Sequence, residues 1–254
     1  RTLATTADGA APVTATNRAE VTLKRFWRTV GIEDRGDALA VTLDQRPLKT
    51  PSGNHLLIPQ SKRLVATLIA TEWENQDTVI KPHALPMTSL TARAIDAMDD
   101  EATREAVQSA LLKYLDTDTI CFHQDYPDPL VRLQQEHWDP LIDWVRTEFD
   151  VEIQTSDSVL FSSQPAATKA KLADVLRGFD RWQMAAMERT VYTTKSFIIA
   201  LALVHKRINA EQAAKASQVE VASQIERWGE VEDSHDVDYH DIRRHIGSSA
   251  CLLA

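Results

Sequence analysis

The stretch Ser61–Gln76, SKRLVATLIATEWENQ, is where the hydrophobic pattern of the chain changes its period. Leu64, Leu68 and Trp73 recur at helical spacing within it, and Ser61 stands where a helix N-cap is expected. We therefore predict that the first long helix begins here. The predicted fold class follows from this change, because apolar residues recur at every second position before the stretch and at helical spacing after it.

Before this stretch, apolar residues alternate with polar or small ones. Leu39, Val41 and Leu43 occupy every second position, which is typical of a strand with one buried face. Two turn signals, Asp34–Gly36 and Pro51–Gly53, separate the apolar runs. We predict a small antiparallel β region on this side of the change.

After this stretch, nearly all of the chain follows a helical period. We predict a helix that Pro140 kinks or restarts, a short strand at VEI (151–153), and a short helix at the end of the chain. Three further helices are predicted, at Ala167–Gly178, Asp180–Ile208 and Asn209–Trp228. Asn209 is expected to cap the last of these, and Gly229 to end it in the left-handed αL conformation.

The predicted fold class is α+β, with a small β-rich N-terminal domain followed by an all-α helical C-terminal domain. The predicted division is a flexible leader at residues 1–20, a β-containing domain at 21–110 and a helical domain at 111–254. The leader is rich in Ala and Thr and holds a single acid before Glu20, so it cannot offset the cost of its own ordering by burial. It is typical of a flexible segment or of the remnant of a transit peptide.

Composition excludes several classes of function. The 254 residues are 43% hydrophobic, which is enough for a sizeable core, and the formal net charge is -9. That charge argues against binding to nucleic acid or to an anionic membrane surface, which requires clustered Lys and Arg. The longest apolar run, FIIALALV from Phe197 to Val204, is too short to cross a bilayer and is predicted to form a buried helix.

Glycine and cysteine are both scarce. The seven glycines form no phosphate-cradling motif, which disfavours an ATP-driven machine. Cys121 and Cys251 lie far apart and form no C-x-x-C motif, so neither a disulfide framework nor a thiolate zinc site is indicated. No G-x-S-x-G or H-E-x-x-H motif is present, and nothing supports a Cys-His pair at Cys121.

The stretch YLDTDTICF raises the possibility of an enzyme. Asp116 and Asp118 match the D-x-D-x-T pattern of haloacid dehalogenase-like phosphatases, in which one carboxylate attacks phosphorus and the other handles the proton. That chemistry requires the first Asp at the end of a buried parallel strand. A helical pattern precedes Asp116 instead, so the alternative is structural: these residues cap and turn the chain where a helix ends and a short extended TICF segment begins.

Two stretches near the C-terminus carry further candidate residues. EDSHDVDYHDIRRH could bind a divalent ion, with Asp236 and His240, or Asp241 and His245, on one helix face. However, His235, His240 and His245 are five residues apart, which on a helix spreads them around the surface, so a solvated charged helix is the alternative and we predict no metal site.

The helix within VEVASQIERWGEVEDSHD mixes long polar side chains with one large aromatic. Such a face is typical of a domain seam or a protein-protein surface. The alternative is that Trp228 anchors the C-terminal helices in the core.

A series of motifs in this order resembles one protein family. They are KRFWRTVGI (24–32), VTLDQRPLKTPSG (41–53), IATEWENQ (69–76), KYLDTDTICF (113–122), QQEHWDPLIDW (134–144) and QIERWGEVEDSHD (224–236). Through these motifs, the sequence from about Lys24 to Ile246 resembles the mitochondrial ATP synthase (F1-ATPase) assembly chaperone that binds the alpha subunit.

The resemblance implies a non-enzymatic chaperone of the mitochondrial matrix, without a cofactor. Its implied partner is the free alpha subunit, held on surface that the beta subunit later covers, so that aggregation is prevented until the hexamer forms. No nucleic acid, membrane insertion or small-molecule substrate is expected.

The resemblance also guides the choice of functional residues. Our hypothesis for the partner-binding surface is a set of polar and aromatic residues near the end of the chain: Glu220, Gln224, Trp228, Glu232, His235 and Asp236. Trp73, Asp116 and Asp118 match marked family motifs and are expected to be structural. A charged residue in place of Trp73 should unfold the N-terminal half, because burying an unpaired charge costs several kcal/mol.

Overall fold

The computed structural model describes residues 24–158 and 163–254, with residues 232–235 described by their backbone alone. The predicted leader, residues 1–20, lies outside the described residues. The predicted fold class is confirmed: a small antiparallel sheet lies near the N-terminus, and helices make up most of the remaining chain.

The sheet is built around one central strand. Its strands are β1 Val30–Asp34, β2 Ala38–Leu43, β3 Arg46–Pro47 and β4 Leu57–Pro59. Strand β2 pairs antiparallel with the other three, and its register to β1 runs from Val30 opposite Leu43 to Asp34 opposite Leu39. The predicted antiparallel β region is therefore confirmed.

The burial of β2 differs from the prediction. Leu39, Val41 and Leu43 are buried as expected, but Ala40 and Thr42 between them are also only 1% and 3% exposed. The strand is buried on both faces, because it lies inside the sheet and within the fold. A small residue and a threonine mimic the polar half of an alternating pattern, which is why the second buried face was missed.

Tight turns connect the strands. Gly36 and Gly53, in the two predicted turns, have positive φ angles of 80° and 87°. The hairpin between β2 and β3 was not predicted, and its two turn residues, Asp44 and Gln45, also have positive φ. The Asp44 carboxylate stabilises this turn by accepting the backbone N–H of Thr29 at 2.9 Å.

Eleven α-helices follow in the described residues. In chain order they are α1 Arg63–Glu74, α2 Pro86–Asp96, α3 Glu101–Lys113, α4 Asp128–His137, α5 Asp139–Phe149, α6 Ala166–Arg177, α7 Arg181–Thr194, α8 Phe197–Val204, α9 Ala210–Ser217, α10 Val219–Trp228 and α11 Glu232–Leu252.

The first helix is present, but two details of its prediction were wrong. Ser61 lies in a short 3-10 turn, Gln60–Lys62, and does not cap α1. The buried side of α1 carries Val65 and Ile69, whereas Leu64 is 49% exposed. The periodicity was therefore correct and the direction of the buried face was not, because the run of apolar residues is wider than one helix face.

Two long helices of the prediction are each divided in two. The segment 180–208 breaks at Lys195, which has a φ of 58°, and Ser196 then caps α8 by accepting the N–H of Ile199. The segment 209–228 breaks after Ser217, whose hydroxyl donates to the carbonyl of Ala214. In both places, hydroxyl side chains bind backbone groups and so compete with the helix.

Other local predictions had mixed outcomes. Asn209 caps α9 as predicted, and the chain restarts as α5 at Asp139, just before Pro140. Residues 151–153 form no strand, and the predicted extended TICF segment contains a 3-10 turn, Thr119–Cys121. Gly229 has a positive φ of 85°, but its ψ of 169° lies outside the αL region.

The final helix is long, although a short one was predicted. Helix α11 has 21 residues, and its C-terminal half is anchored by Ile246 and Leu252, both 0% exposed. Residues 236–240 in its N-terminal half are exposed, which weakens the apolar periodicity that would have predicted it.

The core is continuous across the molecule. Buried side chains of the sheet and of the early and late helices belong to one hydrophobic cluster, in which α7 packs against α2, α8 and α11. Helix α8 lies inside this cluster with every residue at most 4% exposed, which confirms the buried helix predicted there. The division between two domains at residue 110 stays a prediction.

Candidate partner-binding surface

Helix α10 presents three of the predicted residues to solvent on one face. Glu220, Gln224 and Trp228 succeed one another at intervals of four and are all exposed, while Val219 and Ser223 are buried on the other side. Trp228 is 70% exposed, so the interpretation that it anchors the core is wrong. An exposed tryptophan of this extent requires another explanation, since most of its apolar surface faces water.

A cation holds Trp228 beside a second exposed aromatic side chain. The Arg227 guanidinium lies 4.7 Å from the ring centroid of Trp228 and 5.6 Å from that of Tyr126. Tyr126, in the loop before α4, is itself 69% exposed. Such cation-π contacts contribute about 0.5–1 kcal/mol at exposed sites, enough to favour one arrangement of the three side chains. We call these three residues the aromatic cluster.

A groove of about 420 Å³ lies between α4, α10 and α11, and none of the three residues of the aromatic cluster lines it. Its apolar lining includes Leu133 of α4 and Val221 and Ile225 of α10. On its border, Arg132 donates to both carboxylate oxygens of Glu226, at 2.7 and 2.9 Å, and so connects α4 to α10. Aromatic side chains, apolar groove and charged border together have the anatomy of a protein-binding surface.

The remaining predicted residues lie beyond the turn at Gly229. Asp236 is exposed on the N-terminal part of α11, and the backbone of Glu232 and His235 belongs to the same helix. The side chains of Glu232 and His235 lie outside the part of the chain that the structure describes. On this part of the helix, Val237 is a further apolar residue, 66% exposed.

Within the described part of the chain, no three His, Cys, Asp or Glu side chains are grouped as metal ligands. Of the two predicted pairs, Asp241 and His245 are in contact, with 3.3 Å between Oδ2 and Nε2, but Asp241 also pairs with Arg244. Burial lowers the pKa of His245, which the Asp241 charge opposes. Asp241 therefore forms an ion pair with Arg244 and a polar contact with the His245 imidazole, all along one helix.

The two aspartates of the phosphatase pattern lie in different environments. Asp116 accepts hydrogen bonds from Lys169 at 2.6 Å, from the N–H of Gln164 at 2.8 Å and from Ser163 at 3.1 Å. Burial alone would raise the pKa of Asp116, but these hydrogen bonds, led by that from Lys169, hold it below its ordinary value. Through these hydrogen bonds Asp116, which follows α3, connects the end of that helix to the start of α6.

Asp118 is fully buried. Its carboxylate accepts the N–H of Ile198 at 2.9 Å and that of Ile120 at 3.3 Å, so it caps both α8 and the 3-10 turn. Burial raises the pKa of Asp118 to about 6, although hydrogen bonds to the carboxylate oppose this shift. The helix α3 precedes both aspartates, so the strand end that a phosphatase nucleophile needs is not the element that holds them.

Trp73, the other motif residue, packs inside the N-terminal half. Its ring lies 5.1 Å from that of Trp27, and its Nε1 donates to the hydroxyl of Thr88 at 3.0 Å. The neighbouring Glu72 accepts the N–H groups of Met87 and Thr88 at 2.6 and 2.9 Å, which attaches α1 to the start of α2.

Comparison with known proteins identifies the family. The family described as ATP12 chaperone protein matches residues 24–146. Over 237 residues the chain is 33% identical to mitochondrial protein atp12 of Schizosaccharomyces pombe, which covers 90% of this chain and 81% of the relative. The chain belongs to the ATP12 chaperone family.

Two further ATP12 proteins are similar along nearly the whole length. Mitochondrial protein ATP12 of Saccharomyces cerevisiae is 32% identical, with 93% of this chain and 86% of the relative covered. The crystal structure of Atp12 from Paracoccus denitrificans has a TM-score of 0.78 at 32% identity, with 92% of this chain and 98% of that chain covered. The fold is thus that of a solved ATP12 structure.

The family identified from the sequence motifs is confirmed, and with it the role of a chaperone in ATP synthase assembly. Both fungal relatives are named as mitochondrial proteins, and the mitochondrial location predicted from the family is confirmed through them. Within the described residues, no helix of this ATP12-family chain is both long and apolar enough to span a bilayer.

Sequence reasoning did not find Tyr126 or the groove. The signal for Tyr126 was weak, because an aromatic residue in a loop before a Pro is exposed or buried according to tertiary contacts. The groove depends on the placement of Leu133 and Ile225, on helices that are far apart in the sequence. Only the spacing of Glu220, Gln224 and Trp228 could be predicted from one segment.

Proposed function

We propose that this ATP12-family chaperone binds the free alpha subunit of the ATP synthase catalytic head through the surface around α10. It shields the apolar surface that faces the beta subunit and so prevents aggregation before the hexamer assembles. The observation that carries this proposal is Trp228, 70% exposed on α10, a helix that also lines the apolar groove. A partner that covers this side chain removes its apolar surface from water, which stabilises the complex.

The physical basis is the exposure of apolar surface on both partners. Subunits of an obligate assembly have large apolar interfaces that remain uncovered until they pair. Tryptophan, tyrosine and arginine carry most of the binding energy in many protein interfaces. The aromatic cluster supplies one of each, and the groove lined by α10 can take apolar side chains of the partner.

The polar residues contribute selectivity. Glu220 and Asp236 are exposed carboxylates on α10 and α11, and the proposed surface also includes Gln224, Glu232 and His235. Charges at the border of an interface speed association and disfavour wrong partners more than they add affinity. We therefore assign recognition to these residues and affinity to the aromatic cluster and the groove.

The proposed cycle requires neither catalysis nor a cofactor. The beta subunit releases the chaperone when it binds the same alpha surface more favourably. The phosphatase alternative is not favoured, because Asp118 is buried in the core and Asp116 is engaged by Lys169. We propose that the chain is not an enzyme.

Purified alpha subunit provides the direct test. The chain should form a stable complex with free alpha and suppress its aggregation, as measured by light scattering, and added beta subunit should dissociate the complex. A folded chain that neither captures alpha nor suppresses its aggregation contradicts the proposal. A complex that beta leaves intact contradicts the shared surface.

A further inference from the structure

A recess of about 270 Å³ lies between the Pro82–Ala84 turn and helices α2, α7 and α11. None of the residues that line it lines the groove beside α10. Basic side chains from three of the four elements surround it: His83, Arg189, Arg244 and His245. A concentration of basic groups is unexpected in a protein with a formal net charge of -9.

Arg189 is the central feature of this recess. Its side chain is half-buried, and among the described residues no carboxylate pairs with it and no acceptor takes its N–H groups. The adjacent Glu188 cannot serve, because both of its oxygens accept from Arg93, at 2.7 and 2.8 Å. A half-buried guanidinium without a counter-charge is costly, and a bound anion would remove that cost.

Arg244 is held in position next to it. Its Nη1 donates to the backbone carbonyl of His83, and its Nη2 lies against Asp241. Asp241 also faces His245, so one carboxylate is shared between two basic groups. Arg189 and Arg244 carry two positive charges and Asp241 carries one negative charge, so the recess retains positive charge.

One further hydroxyl donor lines the recess. Ser89 of α2 can donate into it, whereas Ser248 of α11 lines it with its proton already donated to the carbonyl of Arg244 at 2.7 Å. The N-terminus of α2 is not part of the attraction, since Glu72 already accepts its free N–H groups at Met87 and Thr88. An anion would therefore be held by side chains from separate elements.

We propose that this recess binds an oxyanion of the phosphate class, either inorganic phosphate or the phosphate group of a small monoester. The guanidinium of Arg189 can hold two oxygens of such a group in a bidentate manner. The recess is lined by donors on three separate helices, Ser89, Arg189 and Arg244, which suits a tetrahedral group with several oxygens better than a planar carboxylate. This inference is independent of the proposed binding of the alpha subunit.

Isothermal titration calorimetry with inorganic phosphate, at constant ionic strength, tests the proposal. Wild type should show saturable binding at one site, and Arg189→Gln should weaken it at least tenfold. Arg63→Gln is the matched control, because Arg63 is an exposed arginine on α1, outside the recess. Thermal unfolding without phosphate should show that all three proteins are folded.

Parallel titrations identify the ligand. Glycerol phosphate that binds more tightly than inorganic phosphate supports a monoester as the ligand, and the reverse supports the free ion. Acetate that binds as tightly as phosphate overturns the phosphate class in favour of a carboxylate group, such as a side chain of a protein partner. Undiminished phosphate binding by Arg189→Gln, or no saturable binding by wild type, overturns the site itself.

Discussion

The Asp118 carboxylate accepts the backbone N–H of Ile198 at 2.9 Å, although the two residues are 80 positions apart in the sequence. This hydrogen bond fixes the segment after α3 to the first turn of α8, the most deeply buried helix of the fold. A residue that resembles a phosphatase catalyst in the sequence thus stabilises the interior of a chaperone.

Replacing Asp118 with Asn should lower stability without removing any chemical activity. The Asn carbonyl can accept one N–H, but its amide group presents a donor where the carboxylate accepted the other. We expect a loss of about 1–3 kcal/mol in the free energy of unfolding at pH 7, where the carboxyl is ionised, measured by urea denaturation. Asp125→Asn, at an exposed loop position, is the control and should have little effect.

Stability should also depend on pH through Asp118. Burial raises the pKa of this carboxyl to about 6 in the folded state, above the 3.8 expected when the chain is unfolded. The folded state therefore holds the proton more tightly, and the stabilisation present below pH 4 is lost as the pH rises through 6. The gap in unfolding free energy between wild type and Asp118→Asn should narrow from pH 4 to pH 7. A gap that widens would contradict this assignment.

A second contact joins the early and late helices of the fold. Arg93 of α2 and Glu188 of α7 form a bidentate ion pair, and the Glu188 side chain is only 9% exposed. Arg93→Ala leaves a buried carboxylate unpaired, so we expect a loss of about 3 kcal/mol in chemical denaturation. Arg132→Ala breaks the exposed pair with Glu226 and should cost less than about 1 kcal/mol. Equal losses in the two variants would show that burial does not set the strength of these pairs.

A charge reversal at Glu220 tests whether the polar residues of the proposed surface take part in binding. Glu220→Lys reverses a charge at an exposed position and should slow association with the alpha subunit, an effect that diminishes at high salt. The control is Glu105→Lys, which makes the same charge change on an exposed position of α3. Stopped-flow association rates measure both. An equal reduction in the two variants would indicate a general charge effect and not a contact at Glu220.

The sequence predicted the larger features of the fold because they depend on local patterns. The change of period near Ser61, the buried α8 and the cap at Asn209 each follow from a few neighbouring residues. The break at Lys195, the second buried face of β2 and the length of α11 could not be predicted in this way. They depend on which surfaces meet in three dimensions.

The candidate surface, too, could be predicted from the sequence only where it depends on local spacing. The spacing of Glu220, Gln224 and Trp228 predicted a common face, but not whether Trp228 is exposed. Its exposure is a tertiary property, as is the contact of Arg227 with both Trp228 and Tyr126. The basic recess around Arg189 was missed for the same reason, since its residues come from separate segments of the chain.

The dissociation constant of the complex between Trp228→Ala and free alpha subunit measures directly whether Trp228 contributes to capture. Removal of a tryptophan at the centre of an interface costs at least about 2 kcal/mol, so the complex should be roughly thirtyfold weaker than that of wild type. Phe26→Ala is the control, because Phe26 is exposed to nearly the same extent, 68%, in the N-terminal half. Only Trp228→Ala should weaken capture of the alpha subunit and the suppression of its aggregation. Binding by Trp228→Ala as tight as that of wild type would contradict it.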